Sequence, residues 1–225
     1  MADLVLASGS ERRHHLLQRL GLRFRVVDPA AIETLQPGLC TELAIQLVAR
    51  MKAQQVAEGF RGEDVYIVAA DTMVVGPTGP LGKPLTAERA REMLTLLRGQ
   101  RHTVLTGVCT LATRTGAERM GVSRAAVRMR DFEDGELDHY VAGGEPLDKA
   151  GGYAVQGLGG ALVDAVAGRM DTVIGLDCQL AVRLLTEVGY PHPLPTAPDW
   201  HLVLGKTAAT RRPLASASRS GLGLR

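Results

Sequence analysis

The chain has few aromatic residues, few cysteines and no long apolar run, and each shortage excludes something. Phe, Trp and Tyr make up only 4% of the 225 residues. A core must therefore be built from Leu, Val and Ala. A base-stacking platform for single-stranded nucleic acid, which needs exposed rings, is not expected. The three cysteines, Cys40, Cys109 and Cys178, are far apart and form no Cys-x-x-Cys pair. Neither a zinc site nor a disulfide framework follows, and all three read as small buried hydrophobes. No stretch reaches membrane-spanning length. The first apolar run has no basic segment before it and is too short for a signal peptide, so a cytoplasmic protein is expected. There is no Gly-x-Gly-x-x-Gly fingerprint and no P-loop.

Acidic charge is missing from one end. After Asp199 come Lys206, Arg211, Arg212, Arg219 and Arg225, with no Asp or Glu. Removing those five from the 26 Lys and Arg leaves 21 against 24 Asp and Glu. The body is thus weakly acidic and its tail basic. Such a body holds nucleic acid poorly by general attraction, so any anion must be gripped locally. Residues 1–198 read as one domain, and residues 199–225 as a disordered basic tail.

What is present alternates between strand and helix patterns. Leu4–Ala7 reads as a buried strand, followed by Ser8-Gly9-Ser10 and a helix from Glu11 to Leu20 with Ser10 as N-cap. Phe24–Val27 is a second strand. A helix over 41–58 carries an apolar stripe of Leu43, Leu47, Val48, Met51 and Val56. Val65–Val75 is a long strand, and Thr86 caps a helix ending near Arg98. Residues 103–113 and 119–129 pair across a turn at Thr115-Gly116. A helix over 132–141, a Gly-rich stretch from Gly143 to Gly160, a strand over 161–166 and one long helix over 171–188 complete the body. The expected class is α/β, with a mixed twisted sheet flanked by helices.

Asp71 and Thr72 interrupt the apolar run of the long strand. An isolated charge there costs several kcal/mol unless something pairs with it. Arg12, Arg13, Lys52 and Lys83 are candidate partners, and one acid among scattered cations suggests a polyphosphate site with a metal or a general base at its centre. Ser8-Gly9-Ser10, between a strand and a helix, suits an anion held by backbone N–H groups, although an ordinary N-cap explains it equally. Gln156, between glycines, can donate and accept at once, which suits a base edge, and is also explained as a loop amide. His102 reads as a structural hydrogen-bonding residue.

Taken in order, these segments resemble the Maf family of nucleotide pyrophosphatases, also described as septum-formation inhibitors. The pieces are Leu6-Ala7-Ser8-Gly9-Ser10 with Arg12-Arg13, Lys52-Ala53, Ala69-Ala70-Asp71-Thr72 and Gly82-Lys83-Pro84. His102 with Thr106-Gly107-Val108, Gly144 to Gly151, Tyr153 to Gly157, and Val173 to Leu176 follow. The resemblance spans residues 3 to 190. It implies two lobes around a deep cleft, as in the inosine triphosphatase-like fold, and hydrolysis of a nucleoside triphosphate to monophosphate and pyrophosphate. It implies a divalent cation (Mg²⁺ or Mn²⁺), for which Asp71 and, as a loose match, Glu33 are the candidate ligands, and a homodimer; the charge balance and the lack of a membrane-length run argue against nucleic acid and membrane partners. Asp71 matches the proton acceptor. Arg13, Lys52 and Lys83, with Ser8 and Ser10, match phosphate contacts, and Arg12, Thr72 and Gln156 match positions of substrate choice. The Arg-Arg pair resembles the dTTP and UTP branch. The alternatives are the 7-methyl-GTP branch, which usually has an aromatic at the Arg12 position, and a non-catalytic nucleotide-binding regulator of division. Three residues depart from the family pattern: Glu11, where Pro is usual, Asp171, where Asn is usual, and Asp177, where Pro is usual.

Overall fold

The computed structural model describes residues 3–30 and 39–195. Its frame is one mixed sheet of seven strands: β1 (Asp3–Ala7), β2 (Arg25–Val27), β3 (Val65–Gly76), β4 (Gly79–Leu81), β5 (Arg101–Ala112), β6 (Glu118–Met129) and β7 (Val163–Ala167). The order is β2-β1-β3-β5-β6-β7, with β4 also paired to β3. β1 runs parallel to β2 and β3, and every other pairing is antiparallel. The helices are α1 (Glu11–Gln18), α2 (Thr41–Glu58), α3 (Ala87–Leu97), α4 (Asp134–Ala142), α5 (Met170–Ile174) and α6 (Cys178–Glu187). None among the described residues is long and apolar enough to cross a membrane.

Alternation along β3 sends successive side chains to opposite faces. Tyr66, Val68 and Ala70 pack with Leu16, Leu17 and Leu20 of the α1 segment and with Leu180, Leu184 and Leu185 of α6. Val65, Ile67 and Ala69 face Ala49, Ala53 and Val56 of α2. Beyond Asp71 a separate core forms the second lobe, where Val74 and Leu81 meet Met93, Leu94, Leu97, Phe132 and Leu137.

The cleft between the lobes follows from strand register. One edge of β3 pairs with β5 from Tyr66 to Val75. The other edge pairs with β1 only up to Ala69 and with β4 only from Val74. Residues 70–73 therefore have no strand neighbour on that side among the described residues, and the gap is where the acid sits.

Several expectations need correction. The α2 stripe is rotated: Ala44, Ile45, Val48, Ala49, Lys52, Ala53 and Val56 are buried, while Leu43 is 40% exposed. Small residues face the sheet because the helix lies unusually close to it. A Cβ on Gly107 would stand 2.5 Å from the Ile45 carbonyl oxygen. The last helix is two helices, broken at Gly175 with φ +136°. Asp171 accepts from the Cys178 amide across that break, and Asp177 restarts the helix by accepting from Leu180 N at 2.8 Å. α1 ends at Gln18 rather than Leu20, and residues 158–162 form a 3-10 turn before β7. Cys40 is exposed, whereas Cys109 and Cys178 are buried.

His102 is buried in β5, with Nε2 2.7 Å from the Tyr153 hydroxyl and no partner for Nδ1. Burial lowers its pKa from 6.5 to about 4, because charge is disfavoured there. The folded state thus favours neutral imidazole. That stabilisation is complete above pH 6.5 and is lost progressively as pH falls toward 4. Thermal melting across this range should fall less steeply for His102→Gln than for the unaltered chain. Parallel curves would contradict the assignment.

Candidate active site

The turn from β1 into α1 brings Ser8, Gly9, Ser10, Arg12 and Arg13 to the cleft, directly after the last β1–β3 pair. Ser10 stands at the N-cap, but its hydroxyl makes no capping bond. Ser8 Oγ instead accepts from the Ser10 amide at 3.2 Å and from Arg13 Nη1 at 3.4 Å. The expected side-chain cap is absent, so early amides of α1 are available to an anion.

The strand-interrupting acid is paired. Lys52 Nζ lies 2.6 Å from Asp71 Oδ1, with the two side chains only 10% and 20% exposed. Lys52 reaches it from the sheet-facing side of α2. An ammonium has three donors and a carboxylate two oxygens, so each partner keeps bonding capacity beyond the pair. No other hydrogen bond from the described residues reaches the Asp71 side chain. Partly buried pairs of this kind gain little net stability over apolar packing, and losing one partner is costly.

Thr72, the next residue, turns to the opposite face. Its hydroxyl lies 2.9 Å from Thr106 Oγ1, 3.3 Å from Arg13 Nη2 and 3.4 Å from the Gly175 carbonyl oxygen. A hydroxyl has one donor and two acceptor places. Thr72, expected at a position of substrate choice, uses its one O–H and one lone pair on protein partners, Arg13 among them, and keeps one acceptor place. Arg13 is further fixed by Nε donating to the Gly175 carbonyl at 2.8 Å.

Across the gap, the turn after β4 presents Lys83, and the 3-10 turn Glu145–Asp148 is followed by Lys149. Gln156 stands exposed at the rim, in a segment anchored by Glu145. That carboxylate accepts from Leu158 N at 2.9 Å, Gly159 N at 3.0 Å and the Tyr140 hydroxyl at 3.1 Å. Arg12 is half-buried between the lobes. Desolvation lowers its pKa, opposed by the charges of Asp148 and Glu145.

All these groups line one cleft of about 1030 Å³: Ser8, Ser10, Arg12, Arg13, Lys52, Asp71, Thr72, Lys83 and Gln156. Sequence reasoning missed Asp28 and Lys149, which line it too. Asp28 follows the end of the parallel strand β2, where ligands gather in open α/β sheets, and this position was the available signal. Glu33 lies outside the described residues.

Among the described residues no group of three or more His, Cys, Asp and Glu could hold a metal ion. A dedicated protein cage is therefore not built from them. The set does fit Mg²⁺ as it is commonly bound, through one or two carboxylates together with substrate phosphates.

The family described as Maf-like protein matches residues 3–188. A dTTP/UTP pyrophosphatase of Halalkalibacterium halodurans is 42% identical over 190 residues, covering 84% of this chain and 98% of the relative. One from Anaeromyxobacter dehalogenans is 45% identical over 192 residues, covering 84% and 96%. One from Dictyoglomus thermophilum is 38% identical over 189 residues, covering 84% and 97%. Among solved structures, the Staphylococcus aureus Ham1 protein gives a TM-score of 0.44 at 11% identity, over 90% of this chain and 95% of its own. With a family match across nearly the whole described body and relatives near 40% identity, this chain belongs to the Maf family.

Proposed function

We propose that this protein is a nucleoside triphosphate pyrophosphatase that hydrolyses dTTP and UTP to the monophosphate and pyrophosphate. The observation that carries this reading is the Lys52–Asp71 pair in the same cleft as Arg13 and Lys83. A triphosphate with about four negative charges needs several cations, and these come from α1, α2 and the turn after β4. The names of the relatives supply the substrate class.

In this mechanism Asp71 takes the proton from an attacking water. The water oxygen forms its bond to the α-phosphorus while the bridge from that phosphorus to the β-phosphate oxygen breaks. Pyrophosphate leaves with the bonding electrons. Lys52 orients the carboxylate through Oδ1 and turns its remaining N–H donors to phosphate. Arg13 and Lys83 stabilise the charge that builds on the leaving group, with the Ser8–Ser10 turn beneath it. Alternatively Asp71, with Glu33, would hold a divalent ion that polarises the phosphate oxygens, rather than take the proton itself. Arg12 and Gln156 face the pyrimidine, and Thr72 acts through Arg13. Residues 1–198 form the active domain. The reading includes a cytoplasmic setting and a homodimer, as the family resemblance implies.

Pyrophosphate release measured with dTTP, UTP, CTP and 7-methyl-GTP should be fastest with the first two, and a chain ending at residue 199 should give the same profile. Preference for 7-methyl-GTP, or tight dTTP binding without product, would refute the reading. Asp71→Asn should lower kcat about 10²–10⁴-fold, the usual worth of general base help. Full turnover in that variant would remove Asp71 from the chemistry.

A further inference from the structure

The elbow between α5 and α6 supports the floor of the cleft. Its Gly175 carbonyl accepts from Arg13 Nε at 2.8 Å and lies 3.4 Å from Thr72 Oγ1. Its Thr172 carbonyl accepts from Thr106 Oγ1 at 2.8 Å. Gly175 has φ +136°, a region that disfavours side chains, and a Cβ there would meet Arg13 Nε at 3.5 Å. Something must hold this turn rigid, because every small shift of the carbonyl moves the guanidinium.

Two buried carboxylates do so. Asp171 is fully buried and accepts from the amides of Thr172 at 3.1 Å and Cys178 at 3.0 Å, on the two sides of the break. Asp177 accepts from Leu180 N at 2.8 Å and from Ser123 Oγ of β6 at 2.6 Å. Arg169 joins them. Nε and Nη2 reach the two Asp171 oxygens at 3.0 and 2.7 Å, and Nε stands 3.3 Å from Asp177 Oδ1.

We propose that Arg169 is a positioning residue for triphosphate binding: by tying Asp171 to Asp177 across the elbow, it fixes the Gly175 carbonyl that aims Arg13 into the cleft. The proposal rests on Arg13 gripping phosphate, as in the reading above.

The test measures calorimetric affinity for inorganic tripolyphosphate and kcat and KM for dTTP. Arg169→Leu and Arg169→Lys are each made in the unaltered chain and in Arg13→Ala, with melting temperatures recorded. Arg169→Leu should weaken tripolyphosphate binding about tenfold where Arg13 is present, Arg169→Lys severalfold, and neither further where Arg13 is absent. KM should rise in step, with less loss for Lys than for Leu. A lowered melting temperature with unchanged affinity overturns the proposal, as does an equal loss in both backgrounds. If the Leu variant fails to fold, the Lys variant decides by the same criteria. An unaltered chain that binds tripolyphosphate without hydrolysing dTTP refutes the enzymatic reading alone, and the affinities still judge the clamp. Failure of the unaltered chain to bind tripolyphosphate overturns the clamp proposal, and dTTP turnover still judges the enzymatic reading by itself.

Discussion

The structure depends on a lysine placed where a helix meets a sheet. Lys52 belongs to the buried face of α2, among Ala49, Ala53 and Val56. An ammonium there is tolerable only because Asp71 faces it at 2.6 Å. Each charge makes the other affordable, and both remain at the edge of a cleft. The pair requires α2 to lie close to β3 and β5. The alanine face of the helix and Gly107, the register partner of Asp71, provide that closeness. Fold and site are therefore not separable at this point, because the packing that builds the first lobe also sets the distance between Asp71 and Lys52.

The cleft is a consequence of incomplete pairing. β3 is long enough to serve both lobes, while β1 and β4 each cover only part of its free edge. The uncovered residues 70–73 carry Asp71 on one face and Thr72 on the other. Cations then converge from separate elements: Lys52 from α2, Arg12 and Arg13 from α1, Lys83 from the second lobe. Arg13 is held from below by Gly175 and Thr72, and that backing depends on buried charges well behind the cleft. A site assembled this way can grip a polyanion strongly although the body as a whole is weakly acidic.

Much of this was legible in the chain itself. Asp71 stands out because a carboxylate interrupts the apolar run Val-Ala-Ala-Asp-Thr-Met-Val, where the bland reading is a strand-end helix cap, and its cationic partners lie in the ordered motifs of the family. The strand and helix order was also readable from periodicity. Orientation was harder. On α2 the bulky Leu43, Leu47 and Met51 suggested the wrong face, because close packing against Gly107 selects alanine over size. The α5–α6 break is not legible, because the pattern over residues 171–188 reads as one helix, and only tertiary structure shows Asp171 and Asp177 buried on Arg169. Thr72 resembled a position of substrate choice, and only the tertiary structure shows that its hydroxyl also bonds Arg13 and Thr106, which come from distant segments.

The most direct measurement is a crystal structure with the non-hydrolysable α,β-imido analogue of dTTP. The account predicts phosphates on Arg13, Lys52 and Lys83, with the α-phosphorus ~3–3.5 Å from a water held by Asp71. A triphosphate bound away from those cations, or a nucleobase lodged against Asp71, would contradict it.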